Sequence, residues 1–527
     1  MSTPNDTMNQ DEKVLHEMGY AQELRRRMSF FSNFAISFSI ICIIAGGITA
    51  LQVGLSAAGG ASVGIGWPLG GLFALIVAAS MGQIASAYPT AGGLYHWSSI
   101  LGGRLWGWIT AWINMLGLVF VVSSVNVGVW LLFVNLILPM FGVDPAPYTG
   151  GDNAYWWQLA AVIVITLTQA IFNHVGIRVT TMLTDFSGYL IFVVAIILTI
   201  ALLVYAPSIH LSRLWTFTNF TGDAGGGVWP AGSSLFVAFM LGLLLPLYTI
   251  TGFDASAHTS EETMSAQTSV PKGMLHAVFW SFLFGWIMVC AFVLAMPDLP
   301  DPKTKAIVDG VAGGAAQGGN VFYWLMGASA MPNILKDLLY IGIVVANYIC
   351  ALSGLTSLSR MIFAFARDGG FSLPSPWLRH VSTTFRTPVN AIWAGGVLTV
   401  LSTLYASAFA TLAAGCAIFL YLSYAMPVAA GLLAEGNSWT KFGPFQLGFW
   451  SKPLGVLTVL GAIILFLVGV QPPNQALIVY SAGLIILLLV VWFGLENRRF
   501  QGPPIGDQIA KRQAQIKVEE AAVGQKA

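Results

Sequence analysis

The chain has 527 residues, of which 56% are hydrophobic and 9% charged, and its formal net charge is +1 at pH 7. An ordinary soluble domain is roughly 25% charged, so this composition excludes a soluble multidomain enzyme and predicts an all-α polytopic membrane protein. The near-zero net charge gives no indication of a nucleic-acid partner, and none is expected.

Twelve apolar segments, each long enough to cross about 30 Å of hydrocarbon, follow one another along the chain. Residues 1–29 precede them and lack the apolar core and cleavage site of a signal peptide, so the first span is expected to act as an uncleaved signal. The predicted spans are about 30–57, 66–88, 105–138, 156–176, 180–206, 232–260, 274–296, 335–366, 388–407, 409–434, 454–471 and 476–495.

The distribution of basic residues predicts the orientation of the chain. An even number of spans places both termini on one side of the membrane. If that side is the cytoplasm, the inner segments carry 19 of the 23 Lys and Arg residues, and the outer loops carry only Arg213, Lys303, Lys305 and Lys336. Cytoplasmic loops are enriched in Lys and Arg, so we predict a multi-pass protein of the plasma (inner) membrane with both termini in the cytoplasm.

Two of the spans contain glycine at a point where the helix is predicted to break. The first span has small residues at 45–47, and the sixth has Gly252. The two spans would hold equivalent places in two five-helix halves. Unwound backbone in a bilayer is tolerated where it lines a cavity, and paired breaks in two halves indicate the substrate site of a transporter.

The first break supplies candidate substrate-binding residues, namely Ile44, Ala45, Gly46 and Gly47. Peptide N–H groups freed there, at the positive end of the following half-helix, would hold a substrate carboxylate without any arginine. Close packing of helices against a surface of small residues is the alternative. On the third span, Asn114 could reach the same cavity or could only bridge helices.

The second break carries a carboxylate, Asp254, inside an apolar span. Such a group is costly and indicates function by default; it could carry a proton or hold the ammonium group of a substrate. His258 and Glu261 follow at spacings of four and three, on one face of a helix that runs toward the cytoplasm. This arrangement suits a proton route, although Glu261 and Glu262 are expected simply to solvate a helix end at the water interface.

Aromatic and polar residues beside the second break complete the candidate substrate site. Aromatic rings can cage an ammonium group, so Tyr248 and Phe253 are candidates, together with Thr249, Thr251 and Gly252. Most other aromatic residues of the chain are expected to fill the core or to anchor the protein at the membrane interface.

The eighth span contains Ser353, Thr356 and Ser357. Hydroxyls beside a helix break can coordinate a hard cation together with peptide carbonyls, here those of Cys42 and Ala45 on the first span. Hydrogen bonding of the hydroxyls to the backbone of their own helix is the alternative.

Other residue types point away from metal, cofactor or ATP chemistry. The four cysteines all lie in apolar segments, which argues against disulfides and against a zinc site. No glycine is followed by Lys and then Ser or Thr, so we expect no ATP-driven pump. We predict no metal, no cofactor and no enzyme activity.

Three stretches resemble permeases of the amino acid–polyamine–organocation (APC) superfamily, and most closely its amino acid/choline transporter branch, which includes GABA and choline permeases. The similarity covers nearly the whole chain. The stretches are YPTAGGLYHW at 88–97, TGFDASAH with SEET at 251–263, and SRM through ARDGG at 359–370.

The resemblance implies the fold of the bacterial leucine transporter (LeuT), a 5+5 inverted repeat of twelve transmembrane helices with helices 1 and 6 broken. It implies a cytoplasmic N-terminal tail (1–29), a ten-helix transport core (30–434), peripheral helices 11 and 12 (435–495) and a cytoplasmic C-terminal tail (496–527). Substrate would lie between the broken halves of spans 1 and 6. Thr356 and Ser357 are similar to the hydroxyl pair that holds sodium in some relatives.

The predicted function is secondary active transport of a small amino acid or a related amine such as GABA, by alternating access. The coupling is expected to be cation symport or exchange with H+ or Na+, and membrane lipid is the other expected partner. Arg360 and Arg367 could pair with Glu261, Glu262 or lipid phosphate, and such pairs are predicted to lock an inner gate.

Three alternatives stay open at the level of the sequence. The substrate could be choline, another quaternary amine or a polyamine. The protein could be a transporter-like nutrient sensor, which binds without substrate flux and usually has a long signalling tail. It could also be a passive channel, which predicts no counterflow.

Overall fold

The structure is a computed structural model that describes residues 4–300, 305–372, 374–405 and 409–523. Lys303, one of the four basic residues assigned to the outer loops, lies outside these ranges. Within them the regular structure is helical apart from one short antiparallel pair of strands, β1 (Leu299–Pro300) and β2 (Ile307–Val308), in which Leu299 pairs with Val308.

The α-helices of the first half of the chain include both halves of the first interrupted span. They are α1 (Pro4–Glu17), α2 (Phe30–Ile41), α3 (Ile43–Thr49), α4 (Leu51–Ala58), α5 (Trp67–Ala87), α6 (Leu94–Gly102), α7 (Arg104–Leu132), α8 (Ala146–Thr149), α9 (Ala154–Val175) and α10 (Ile177–Val204).

The second half begins with the other interrupted span. Its α-helices are α11 (Leu235–Gly242), α12 (Leu244–Thr249), α13 (Ala255–His258), α14 (Ala266–Leu294), α15 (Gly310–Ala315), α16 (Val321–Ala328), α17 (Asn333–Arg367), α18 (Ser375–Leu378), α19 (Val389–Tyr405), α20 (Phe409–Ala434), α21 (Ser451–Gly469), α22 (Ala476–Val491), α23 (Asn497–Arg499) and α24 (Asp507–Ala522).

In the described part of the chain, ten helices are long and apolar enough to cross a membrane. The predicted sixth and ninth segments correspond to the shorter apolar stretches Leu235–Thr249 and Val389–Leu404. The protein is therefore a mostly helical, multi-pass membrane protein. Helix α7 packs along α6, α17 and α20, and α3 packs against α12, so the two interrupted spans meet inside the bundle.

The first interrupted span breaks at Cys42, which has left-handed backbone angles (φ 32°, ψ 80°). The prediction of a break at Gly46 and Gly47 is wrong, because α3 is continuous through both. These glycines serve close packing instead: a Cβ on Gly46 would lie 2.6 Å from the side chain of Thr249, and one on Gly47 would lie 2.8 Å from Met288. Close packing, the alternative for this stretch, is therefore present at both glycines.

The second interrupted span breaks where the sequence predicted. Helix α12 ends at Thr249, residues 250–254 are not helical, and α13 begins at Ala255. Gly252 has a φ of +83°, and a Cβ there would lie 2.0 Å from the Ile40 side chain. Only glycine combines this left-handed conformation with so close an approach of α2.

The N- and C-terminal tails meet on one side of the bundle. His16 lies 2.7 Å from Glu520, and the peptide N–H of Gln22 donates to Glu520 Oε1 (2.9 Å). We call this face the tail side and the opposite face the far side. The turn between α21 and α22 lies on the far side, because α22 runs from it toward the C-terminal tail.

Replacing Gly252 with alanine is expected to destabilise the protein strongly. A left-handed alanine costs about 1–2 kcal/mol, and overpacking against Ile40 adds roughly 1–3 kcal/mol. Thermal unfolding of the purified protein in detergent measures the loss.

Gly436→Ala is the matched control, because Gly436 has a φ of +85° but no atom within 4 Å of the added Cβ. This variant should lose only the stability that a left-handed alanine costs, without the cost of overpacking. Equal unfolding temperatures for the two variants would contradict the close approach of α2 to the second break.

Candidate functional site

A buried cavity lies between the two interrupted spans and is walled by α7, α17 and α20. Its surface is uncharged and combines small, aliphatic, hydroxyl and thiol side chains. The lining residues are Ile40, Ile41, Ala45, Gly46, Val121, Ser124, Val125, Tyr248, Thr249, Thr251, Cys350 and Cys416. We call this space the central cavity.

The central cavity is closed in this conformation. Its empty volume is about 270 Å³, but the centre of a water molecule fits into only about 20 Å³ of it. A single water needs about 10–15 Å³ by that measure, whereas pockets that hold small organic ligands usually measure about 300–1,000 Å³. A ligand larger than one or two waters can therefore enter only if the lining side chains or the helices move.

The backbone at the first break offers a hydrogen-bonding group to the central cavity, whereas backbone groups at the second break are bound by side chains. The peptide N–H of Gly46 donates to the carbonyl of Cys42 (3.1 Å), but the N–H groups of Ile43, Ile44 and Ala45 begin α3 and have no acceptor within the helix. Ala45 also lines the cavity. At the second break, Thr251 Oγ1 donates to the carbonyl of Tyr248 (2.8 Å).

Tyr248 separates the central cavity from a second one on the far side. Its hydroxyl donates to Ser124 Oγ (3.3 Å), and its ring meets that of Phe409 edge-on at 5.9 Å. The second space, the outer cavity, has an empty volume of about 560 Å³ and is bounded by residues that include Gln52, Trp229 and Pro473 as well as Tyr248. One aromatic side chain thus stands between the two.

Asp254 lies at the second break in a fully buried cluster on the tail side of the central cavity. Tyr424 Oη donates to Asp254 Oδ1 (2.8 Å) and accepts from the peptide N–H of Gly252 (2.9 Å). Asn114 Nδ2 donates to Asp254 Oδ2 (3.0 Å). The carboxylate and the unwound backbone are therefore joined through one hydroxyl.

His258 completes this cluster. Its Nδ1 lies 3.1 Å from the carbonyl of Ala91 and therefore carries a hydrogen, because a carbonyl only accepts. Its Nε2 lies 3.2 Å from Asp254 Oδ2. The carboxylate and the imidazole are therefore in direct contact within the buried cluster.

The structure divides the predicted substrate-binding residues into two sets. Ala45, Gly46, Tyr248, Thr249 and Thr251 line the central cavity, whereas the others are buried outside its lining: Ile44, Gly47, Asn114, Gly252 and Phe253. Sequence reasoning missed Ser124, Cys350 and Cys416, because hydroxyls and thiols on apolar spans are usually packing residues.

The three hydroxyls proposed for a cation site are engaged elsewhere. Ser353 Oγ donates to the carbonyl of Ile349 (2.9 Å), and Ser357 Oγ to that of Ser353 (3.4 Å). Thr356 Oγ1 donates to Asn173 Oδ1 on α9 (2.7 Å). The bonds to the helix backbone, including that of Thr356 Oγ1 to the carbonyl of Leu352 (3.0 Å), are the alternative named for this stretch, and the bond to Asn173 is additional.

Two buried ion pairs lie beyond the Asp254 cluster on the tail side. Arg360 binds Glu262 with Nε–Oε2 and Nη2–Oε1 distances of 2.9 and 3.0 Å. Arg367 binds Glu261 in the same two-pronged way, at 3.0 and 2.9 Å. Both glutamates are 0% exposed, so the expectation that they solvate a helix end in water is wrong; facing arginines on α17 neutralise them instead.

The Glu261 carboxylate also connects three elements. Its Oε1 accepts from the peptide N–H of Ala91, in the turn between α5 and α6, while Arg367 holds it from α17. Buried ion pairs are costly to break one partner at a time, because the remaining charge stays desolvated. The loop after α13 is thereby fastened to α5, α6 and α17 on the tail side.

Comparison with known proteins places these residues in a family. A model of the family described as amino acid permease matches residues 28–495, which contain the central cavity, the Asp254 cluster and both ion pairs.

Similar proteins cover almost the whole chain. Amino-acid permease BAT1 of Arabidopsis thaliana is 34% identical over 94% of this chain and 96% of its own length. Its homolog in Oryza sativa subsp. japonica is 34% identical over 93% and 94%. Amino-acid permease 2 of Neurospora crassa is 26% identical over 95% and 91%.

Glu261→Gln is expected to cost about 3–5 kcal/mol of stability, because it leaves the Arg367 guanidinium buried without its counter-charge. The double variant with Arg367→Met should recover part of this loss, since it removes both charges together. Chemical denaturation of the four proteins of this double-mutant cycle measures the coupling.

The pair between Arg379 and Glu519 is the control, because the Arg379 side chain is 40% exposed. An exposed pair is worth about 0–1 kcal/mol, so Arg379→Ala should have little effect. If the coupling energy between Glu261 and Arg367 is no larger than the effect of Arg379→Ala, the description of a buried, desolvated ion pair is contradicted.

Proposed function

The chain belongs to the amino acid permease family, and we propose that it is a secondary active transporter of a small amino acid or a related amine such as GABA. The observation that carries the proposal is the closed, uncharged central cavity between two interrupted helices. Substrate would bind there, with its carboxylate at the backbone beside Ala45 and Gly46 and its amine near residues 248–252 at the second break.

The chemistry of the cavity lining supports a neutral solute that carries both charges itself. Asp254 is outside the lining and already engaged by Tyr424, Asn114 and His258. Tyr248 is the single aromatic side chain of the lining, whereas a quaternary amine is usually held by a cage of several rings. These features favour an amino acid over choline or a polyamine.

We infer transport by alternating access, on the twelve-span, 5+5 inverted-repeat fold of the bacterial leucine transporter. In support, the two breaks at Cys42 and Gly252 fall in the first and sixth of twelve apolar helical segments and face one another. The central cavity is closed on the far side by Tyr248 and Phe409 and on the tail side by buried ion pairs. Opening one closure at a time would move substrate across.

We propose that the tail side faces the cytoplasm and that the protein resides in the plasma membrane. The distribution of Lys and Arg supports this orientation. The pairs Arg360–Glu262 and Arg367–Glu261 then form the inner gate, with Asp254 and His258 between this gate and the substrate.

We propose H+ as the coupling ion, carried as a proton by the buried pair Asp254 and His258. Loss of that proton would leave an anionic cluster in a buried site, which is costly, and the strain would reach the unwound backbone through the Tyr424 hydroxyl. Deprotonation would therefore favour a rearrangement at Gly252, beside the substrate.

Asp254→Asn is expected to uncouple transport from the proton gradient. Purified protein in liposomes is given labelled neutral amino acids, GABA, choline and spermidine under separate proton and sodium gradients. One coupled charge at about 100 mV is worth about 2.3 kcal/mol, or roughly fiftyfold accumulation. The wild type should accumulate an amino acid in this range, whereas Asp254→Asn should only equilibrate it and retain counterflow.

Asp185→Asn is the control, because Asp185 also lies in a span but is half-buried and accepts from Ser32. It should accumulate substrate like the wild type. Accumulation by Asp254→Asn equal to that of the wild type would remove Asp254 from coupling. Accumulation of choline or spermidine but of no amino acid would overturn the proposed substrate.

Thiol reagents provide a direct test of where substrate binds. Cys350 and Cys416 line the central cavity, so a small maleimide that reaches it should inhibit uptake, and saturating substrate should slow both inhibition and labelling. The double variant Cys350→Ala/Cys416→Ala should be resistant.

Cys290 is the internal control, because it lies on α14 outside the cavity lining. Its labelling, followed by mass spectrometry, should not respond to substrate. If substrate protects Cys290 as much as Cys350 and Cys416, or protects none of them, the central cavity is not the binding site.

A further inference from the structure

Residues 18–28, which link α1 to α2, lie directly against the inner gate. We call this segment the strap. Tyr20, at its start, is 0% exposed. The Arg367 guanidinium lies over the Tyr20 ring at 3.9 Å from its centre, which is within cation–π range. The Tyr20 hydroxyl donates to Asp368 Oδ2 (2.8 Å), and Tyr95 donates to the same oxygen (2.9 Å).

The rest of the strap binds the loop that carries both gate glutamates. Gln22 Nε2 donates to the carbonyl of Glu261 (2.8 Å). The peptide N–H groups of Arg27 and Met28 both donate to the carbonyl of Glu262 (2.8 Å each). The strap therefore contacts the Arg367 side chain through Tyr20 and binds the backbone of its partner Glu261 through Gln22.

Helix α24, near the other end of the chain, holds the strap in place. Glu520 Oε1 accepts from the peptide N–H of Gln22 (2.9 Å) and lies 2.7 Å from His16 Nε2, just before the strap. Gln513 Nε2 donates to the carbonyl of His16 (3.1 Å). The two tails thus bind each other and the gate at the same place.

We propose that the strap and α24 form a latch on the inner gate, in which Tyr20 is the positioning residue that keeps Arg367 on Glu261. The gate opens toward the tail side only when these two residues separate. Arg367 and Glu261 cannot separate while Tyr20 holds Arg367 and Gln22 holds Glu261. The strap must therefore leave first. This latch sets the rate of access from one side and goes beyond the transport activity proposed above.

The latch also contains a group that titrates near neutral pH. Burial, opposed by Arg367, raises the pKa of Glu23 from its usual value near 4.5 to about 7. In the released strap Glu23 would regain its ordinary pKa. Docking of the strap therefore favours protonated Glu23. The contribution of this side chain to the stability of the docked strap is complete below about pH 4.5 and is lost as the pH rises through 7. The charged groups that face Glu23 are Arg367, Glu519, Arg379, Glu261 and Arg386.

The two thiols of the central cavity report on the latch without any need for transport. Membrane vesicles are prepared with the tail side facing a membrane-impermeant maleimide, and labelling of Cys350 and Cys416 is timed by mass spectrometry. Tyr20→Ala should raise the labelling rate about tenfold, which is the size of effect expected for a desolvated cation–π contact. Tyr20→Phe keeps the ring over Arg367 and should stay within about threefold of the wild type.

Tyr155→Ala is the matched control, a tyrosine at the start of α9, at the far end of the spans; it should label like the wild type. Equal rates for Tyr20→Ala and the wild type would overturn the latch. A Tyr20→Phe rate as high as that of Tyr20→Ala would overturn the cation–π role and assign the latch to the hydroxyl. Because labelling and not uptake is measured, failure of the proposed substrate leaves this result unaffected.

The pH response is tested in the same vesicles. Dividing the wild-type rate by that of Tyr20→Ala at each pH removes the titration of the thiols themselves. This ratio should rise severalfold from pH 6 to pH 8 as Glu23 loses its proton. The side chain of Glu23→Gln is neutral at every pH, so the labelling rate of this variant divided by that of Tyr20→Ala should stay low at pH 6 and at pH 8. A flat wild-type ratio, or a Glu23→Gln ratio that rises equally, would overturn Glu23 as the titrating group.

Discussion

Peptide groups that lose their helical partners inside a membrane must find others, and this constraint organises the centre of the molecule. The two breaks face each other, and side chains of neighbouring helices bind the exposed backbone. Cys350 donates to the carbonyl of Ile40, Tyr421 to that of Ile250 and Ser37 to that of Phe253, while Tyr424 accepts from the N–H of Gly252. The N–H of Ala45, which has no acceptor within α3, lies at the central cavity, so part of the backbone that the first break leaves unpaired is available for binding.

The two closures of the central cavity differ in physical kind. On the far side, Tyr248 and Phe409 meet through aromatic contact, which is worth about 0.5–1.5 kcal/mol beyond the area buried. On the tail side, two arginines and two glutamates are completely desolvated. Apolar contacts can re-form in many geometries, whereas a buried ion pair tolerates few. In the proposed transport cycle we therefore expect the far side to open more easily from this conformation.

The sequence predicted the order of apolar segments well, because a bilayer imposes a length and a hydrophobicity that can be counted. It also placed Asp254 beside His258, since a spacing of four is local. It failed where distant segments decide. Gly46 is a packing glycine because Thr249 lies opposite, and Glu261 is buried because Arg367 and Ala91 reach it from far along the chain. Neither relation leaves a signal in a single sequence.

The contact between Gln22 and Glu520 joins residues that are 498 positions apart. At roughly 5–20 residues per second, a ribosome completes the partner of Gln22 about half a minute or more after Gln22 itself has been made. During that interval the spans insert one after another while the segment around Tyr20 lacks its contacts with α24. The contact between the two tails is consequently among the last to form, and a chain that ends before Glu520 lacks the helix that would complete the proposed latch.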